Sequence, residues 1–395
     1  MRTYSITIST YQVYSITSFL ASAKNRDHNM TVRVDVGEHA YSATLWEWMV
    51  LLSKATAITF RLMLKAAKAG RRDQKNGLTF HQYIAYQGMR DYQCGLDAVA
   101  IQNLLPSTSK TCEGFASRHR IVNSTIRLPC GTTAQWLGPR NARKVVVLFH
   151  GGGYMSPALS EHVSLAFGMS DPSRRDAAAV VLSYNLACES ANRYPRQLQQ
   201  AVALLGHLLH VEKVLPSSIT LLGDSAGAHL LLSLVLHLSH PNPLVTPLKF
   251  SGRLSGAVLV SPWVTMDTSA ASMQLNKDKD VLSASSLEYW ARNFLGGADY
   301  DSWNTPTMAP EEWWGDLLVD DILVLYGHDE LLRDDTLIFC ERLRAGHAKT
   351  TVLDFPGEAH VHMLMNRFLR INKPCKSEET LVNWMDSHLG DGDCV

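Results

Sequence analysis

The stretch from Ser218 to Leu238 constrains the fold more than any other part of the chain. Ser218-Ile219-Thr220-Leu221-Leu222 carries a short apolar strand pattern, which passes through Gly223-Asp224-Ser225-Ala226-Gly227 straight into an apolar helix pattern over Ala226 to Leu238. The same alternation recurs on both sides of it. Lys144-Val145-Val146-Val147-Leu148-Phe149 is a β-branched run with no polar alternation, the pattern of a strand buried on both faces. Ala179–Tyr184 is another such run, followed by a helix pattern from about Arg196 to Val211. Gly256–Val260, Asp321–Tyr326 and Thr350–Phe355 complete the series. Strands alternating with helices predict an α/β fold, a mostly parallel central sheet with helices on both faces. In such sheets ligands bind outside the carboxyl ends of the strands, so the chemistry is expected just after them.

The 395 residues are too many for one minimal domain but suit one large α/β domain with insertions. Residues 111–395 are expected to form it. Residues 1 to about 110 show helical patterning and few strand signals before Pro106-Ser107-Thr108-Ser109 punctuates the chain. Within them, 1–30 are expected to be a disordered or targeting leader: Thr3 to Ala23 carries no charge but is crowded with Ser, Thr, Tyr and Gln. Residues 31–110 are expected to be helical. The apolar stretch at 43–67 is interrupted by Lys54, Arg61 and Lys65, so it lacks the roughly 18 uncharged apolar residues of a spanning helix. An amphipathic helix packed on the body or covering a pocket is the expectation there, with membrane-surface contact as the alternative.

Charge narrows the partners. Lys plus Arg and Asp plus Glu each number 37, so no nucleic-acid footprint or strongly acidic partner is implied. A small, apolar, neutral ester is the kind of substrate that such a surface suits. The seven cysteines show no C-x-x-C or Cys/His spacing. Neither a metal site nor a disulfide framework is expected, and a reducing, cytoplasmic setting is.

Gly223-Asp224-Ser225-Ala226-Gly227 is a G-x-S-x-G sequence at a strand-to-helix junction. A sharp turn there lifts the serine hydroxyl above the sheet, and flanking glycines leave room for the strained backbone. Ser225 is thus the candidate nucleophile, and the amides opening the following helix favour developing negative charge. After the Lys144–Phe149 strand comes His150-Gly151-Gly152-Gly153-Tyr154. Gly151, Gly152 and Gly153 let the backbone approach a substrate carbonyl and aim N–H groups at its oxygen. With the Ala226 amide they are the candidate oxyanion donors, and His150 is expected to be structural.

The base is expected after the last strand, where Pro356-Gly357-Glu358-Ala359-His360-Val361-His362 offers two histidines. His360 is favoured over His362, in the chain order serine, acid, histidine. The acid is expected after the penultimate strand, in Gly327-His328-Asp329-Glu330. Asp329 and Glu330 compete to orient the imidazole, and the residues alone do not separate them. Asp334 and Asp335 suit the start of the next helix.

These pieces resemble the hormone-sensitive-lipase-like, or GDXG lipolytic, branch of the α/β-hydrolases, over about residues 115–370. The likeness rests on His150-Gly151-Gly152-Gly153, on Gly223-Asp224-Ser225-Ala226-Gly227 and on the acid and histidine that follow. Tyr184-Asn185-Leu186-Ala187-Cys188-Glu189 is similar to the family's Y-R-L-A-P-E segment, with Cys188 in place of proline. Tyr194-Pro195, Ser261-Pro262-Trp263-Val264 and Trp313-Trp314 look like fungal members, many of which act on secondary metabolites or steryl esters. The resemblance implies an α/β-hydrolase fold with a helical cap drawn from 40–105 and about 265–315. It implies Glu330 as the acid, aligned with the family's D-P-L-x-D-E, and Gly152 and Gly153 as the main oxyanion donors. It also implies ester hydrolysis through an acyl-enzyme, with no metal or organic cofactor. Acyl transfer or a lyase or cyclase step on the same fold is the alternative. A non-catalytic ligand receptor, as in the plant gibberellin receptor that lacks the histidine, is a lesser one.

Overall fold

The uninterrupted apolar runs become the middle of one eight-stranded sheet in the computed structural model of the chain, which describes residues 44–69, 78–188, 190–371 and 374–390. The expected leader at 1–30, the first part of the 31–110 region and Glu189 lie outside the described residues. The strands are β1 (Asn123–Arg127), β2 (Thr133–Leu137), β3 (Lys144–Phe149), β4 (Ala177–Ser183), β5 (Ile219–Asp224), β6 (Leu254–Val260), β7 (Val319–Gly327) and β8 (Thr350–Phe355). Their order across the sheet is β1-β2-β4-β3-β5-β6-β7-β8. β2 pairs antiparallel with β1 and β4, and every other neighbouring pair is parallel. The chain steps outward from β3 to β4, then returns to the other side of β3 with β5. That switch point opens a crevice beyond the carboxyl ends of β3 and β5.

The helices in chain order are α1 (Leu45–Ala69), α2 (Phe80–Gly95), α3 (Ala98–Leu104), α4 (Thr108–His119), α5 (Ser160–Met169), α6 (Arg196–His210), α7 (Ala226–Ser239), α8 (Ser272–Leu275), α9 (Ala284–Leu295), α10 (Arg333–Gly346), α11 (His362–Phe368) and α12 (Lys376–Leu389). They cover both faces of the sheet, which is why its central strands need no polar alternation. Val145, Val147 and Phe149 of β3 point into one apolar layer with Leu204 and Leu208 of α6 and Leu230 and Leu234 of α7. Val146 and Leu148 point into the other, with Val163 and Met169 of α5 and Met385 of α12. Each fully buried side chain of this kind stabilises the fold by about 1.5–3 kcal/mol.

The hairpin of β1 and β2 has no counterpart in the sequence reading. Its strands are short, and β1 (Asn-Ser-Thr-Ile-Arg) buries only Ile126. An edge strand with one face in water lacks the apolar run that marks the centre of the sheet.

Among the described residues four helices precede the hairpin. α2 opens with a capping box, Thr79 accepting the Gln82 amide while the Gln82 side chain returns to Thr79. α1 lies along it with Leu62 over Gly88 and Ile58 over Gly95, while Leu51 packs with Leu96 and Ile101. On its other side α2 reaches the sheet's carboxyl end. The Tyr86 hydroxyl lies 3.2 Å from His362 Nδ1, and Arg90 donates to the carbonyl of Asp280. Among the described residues no helix is long and apolar enough to cross a membrane.

Candidate active site

β5 ends at Asp224 and α7 begins at Ala226, so Ser225 alone makes the turn. It does so at φ 52° and ψ −120°, a left-handed backbone that is costly for a residue with a Cβ. Its amide donates to the Val260 carbonyl at 2.9 Å, and its own carbonyl accepts the amides of His229 at 3.0 Å and Trp263 at 3.3 Å. The flanking glycines are sterically required. A Cβ on Gly223 would stand 2.6 Å from the Gly227 carbonyl oxygen, and one on Gly227 would run into the carbonyl of Phe149.

Three of the side chains singled out in the sequence meet above this turn. Ser225 Oγ lies 2.9 Å from His360 Nε2, and His360 Nδ1 lies 3.0 Å from Glu330 Oε2. All three are buried. The other carboxylate oxygen of Glu330 accepts the Ser261 hydroxyl at 2.6 Å and the Gly327 amide at 2.5 Å. Because Ser261 Oγ also accepts the Val361 amide at 3.0 Å, its proton points to Glu330. Burial disfavours a charged His360. The hydrogen bond and charge of Glu330, with the charges of Asp280 and Asp224 behind them, outweigh burial and raise the imidazole pKa.

The competing residues go elsewhere. His362 Nδ1 accepts from the Ala359 amide at 3.3 Å beside the Tyr86 hydroxyl, and burial lowers its pKa. Asp329 pairs with Lys279 at 2.8 Å. Asp334 and Asp335 lie in the first turn of α10. His150 stacks on Tyr184 at 4.3 Å, with Nε2 3.2 Å from the Thr108 hydroxyl, and burial pushes its pKa down to about 3.

Gly151 requires a correction as a candidate oxyanion donor. Its amide is already engaged, donating to Asp224 Oδ1 at 2.9 Å, so it has no proton to offer a substrate. Among the described residues no acceptor engages the amides of Gly152, Gly153 or Ala226. Gly152 and Gly153 hold φ of 109° and 61°, conformations open to glycine at little cost. Asp224 also accepts from His162 Nε2 at 3.2 Å, while the Leu159 amide donates to His162 Nδ1 at 3.0 Å. The second bond fixes the neutral tautomer with its proton on Nε2, facing the carboxylate. Asp224 therefore latches the glycine loop to the start of α5.

Residues 146–364, more than half of the chain, match the family model described as the alpha/beta hydrolase fold. The chain belongs to the alpha/beta hydrolase fold family. It is 30% identical over 234 residues to an acetyl-hydrolase of Streptomyces hygroscopicus, covering 58% of this chain and 72% of the relative. It is 26% identical over 212 residues to steryl acetyl hydrolase 1 of Saccharomyces cerevisiae, covering 50% of this chain and 48% of that protein. The fold matches the crystal structure of an esterase from the bacterial hormone-sensitive lipase family, with a TM-score of 0.57, 19% identity, and 85% and 99% of the two chains covered.

This alpha/beta hydrolase also builds its site from residues the sequence did not single out. Asp280, fully buried, accepts the amides of Val281 at 2.6 Å, Leu331 at 2.6 Å and His360 at 3.1 Å. Asn276 donates to the carbonyls of His328 at 3.1 Å and Glu330 at 2.8 Å. Both residues belong to the 265–315 stretch expected to contribute to a cap, and both tie down the loops that carry Glu330 and His360. Asp280, Asn276 and His162 lie in polar stretches with no spacing that marks a role, and Ser261 enters the sequence reading only within Ser261-Pro262-Trp263-Val264, with no part in the site.

Proposed function

We propose that this chain is a carboxylic-ester hydrolase in which Ser225 is the nucleophile, His360 the general base and acid, and Glu330 the group that orients the imidazole. The observation that carries the reading is the unbroken hydrogen-bonded run from Ser225 Oγ through His360 to Glu330, at 2.9 and 3.0 Å, on a strained turn. In the first step His360 Nε2 takes the Ser225 proton as Oγ attacks the ester carbonyl. The amides of Gly152, Gly153 and Ala226 receive the oxyanion, and His360 returns the proton to the departing alcohol. In the second step water, deprotonated by the same nitrogen, attacks the acyl-enzyme, and His360 returns that proton to Ser225 Oγ as the bond to the acyl group breaks and the acid leaves.

The substrate class that fits is a small neutral ester, an acetyl or other short acyl group on an apolar alcohol. Relatives named acetyl-hydrolase and steryl acetyl hydrolase support it. The test is turnover of p-nitrophenyl esters of graded acyl length, with a fluorophosphonate probe labelling the nucleophile. Ser225→Ala is expected to lower kcat by about a thousandfold or more at an unchanged melting temperature. Full activity in that variant, or labelling at another residue, would remove Ser225 from the mechanism.

A further inference from the structure

The chemistry described above leaves one large surface unexplained, the outer face of α1. This helix runs for 25 residues and buries only the side that carries Leu51, Ile58 and Leu62 against α2 and α3. The opposite side holds Leu45, Trp46, Met49, Phe60, Met63 and Leu64, all exposed, with Trp46 at 70% and Phe60 at 62%. At helical spacing these residues fall within about 100°, or about 140° with the exposed Leu52 and Thr59, and no charged residue lies within that arc. Lys54, Arg61 and Lys65 instead follow one another along a single edge.

The polar side chains in the exposed arc indicate what covers it. The hydroxyls of Ser53, Thr56 and Thr59 donate to the helix's own carbonyls of Val50, Leu52 and Ala55, at 2.7, 2.8 and 2.9 Å. Each hydroxyl proton is therefore used inside the helix. A protein partner of ordinary kind adds about one hydrogen bond per 100–200 Å² of interface, and on this face the Trp46 indole N–H, a group suited to the headgroup level of a lipid surface, is the side-chain donor left over. A lipid surface needs none and requires only that backbone and side-chain polar groups be satisfied internally. Charge points the same way. The helix carries four basic residues and one acidic one, and Glu47 is held at the N-terminus by the Thr44 amide and hydroxyl at 2.6 and 2.8 Å. Lys54 and Lys65 lean toward Asp97 and Asp91 on the packed side, while Arg61 is exposed at the edge.

We propose that the exposed face of α1 docks the protein on an anionic lipid surface. The helix lies in the interface plane, with Trp46, Met49, Phe60 and Met63 in the acyl boundary and Arg61 at the headgroups, while Lys54 and Lys65 stay paired on the packed side. Docking needs no chemistry at Ser225 and holds whether or not the enzyme reading does.

The test is flotation of the full chain with phosphatidylcholine vesicles, with and without phosphatidylserine. Sedimentation velocity on the same samples without vesicles accompanies it. The wild type is expected to float, more strongly with phosphatidylserine, and to sediment as one species that Phe60→Asp does not alter. Phe60→Asp and Met63→Glu lie on the solvent side and are expected to keep the wild-type melting temperature. Each should lower vesicle binding by about tenfold or more. Failure of the wild type to float would overturn the proposal, as would equal flotation of both variants. So would a dimer that Phe60→Asp dissociates without vesicle binding, which would assign the face to a second copy of the chain.

Discussion

The carboxylate of Asp280 accepts the backbone amide of His360 at 3.1 Å, across 80 residues of sequence, and so holds the histidine loop from behind. Its second oxygen accepts Leu331, the residue after Glu330, at 2.6 Å. One buried carboxylate thus fixes the spacing of the acid and histidine loops and adds negative charge beside the imidazole. Asp280→Asn replaces one acceptor oxygen with a donor facing amides that also donate. The expected cost is about 1–3 kcal/mol of stability. Loss of the charge also lowers the His360 pKa, moving the acid limb of kcat/KM to lower pH. Thermal melts and a pH profile check the two effects separately. A melt shift with an unmoved limb would make Asp280 a purely structural residue.

The direction of the His360 shift sets two opposite pH dependences. The imidazole must be neutral to accept the Ser225 proton, so kcat/KM is expected to fall as pH drops through a midpoint above 6.5, the ordinary value from which His360 is raised. The linkage to stability has the other sign. A raised histidine contributes stability that is fully present below its unfolded pKa and is lost as pH rises through the folded one. Activity therefore appears over the same interval in which this contribution fades. A kcat/KM midpoint well below 6.5 would contradict the charge arrangement around His360.

The sequence marks the parts of this molecule whose cause is local. β3, β5 and β7 are legible because a strand buried on both faces must be apolar throughout, and Ser225 because its turn demands glycine on both sides. His360 is legible as a histidine that follows the last parallel strand, while position after the penultimate strand leaves Asp329 and Glu330 equal and only the family resemblance favours Glu330. β1 and β2 are not legible: β1 is an edge strand that buries only Ile126, and β2, though buried, is short and mixes Thr133 and Gln135 with its apolar residues. Asp280, Ser261 and His162 are hidden for a different reason. Each is a polar residue whose partner lies far along the chain: 80 residues for Asp280 with His360, 69 for Ser261 with Glu330 and 62 for His162 with Asp224. Gly151 shows the limit within a motif. All three glycines look alike in sequence, and only the approach of Asp224 separates the engaged amide from the two open ones.

That separation gives a prediction at Gly151. A Cβ there would run into the Asp224 side chain, which is pinned by His162 on its other oxygen. Gly151→Ala is expected to displace the glycine loop and to cost about 1–3 kcal/mol from overpacking. The expected kinetic signature is a fall in kcat of about tenfold to a hundredfold, with covalent labelling of Ser225 slowed in step, because the oxyanion amides move with the loop. A variant as stable and as active as wild type would show that the Asp224 latch does not set the position of Gly152 and Gly153.

The rival carboxylates make the last test. Glu330 is fully buried and bonded to His360, whereas Asp329 is paired with Lys279 at 2.8 Å. Glu330→Gln removes the charge that favours the imidazolium and can present an N–H where the ring also donates. By analogy with triads whose acid is made neutral, kcat is expected to drop by about 10³–10⁴. Ser225 then loses its base even though the nearby side chains keep their volumes. Asp329→Asn breaks only a pair whose lysine is one-third exposed. Such pairs contribute about 0–1 kcal/mol, so kcat is expected to stay within about threefold of wild type. Steady-state kinetics on the two single variants decide the matter: loss of activity on Asp329→Asn with retention on Glu330→Gln would move the acid one residue upstream.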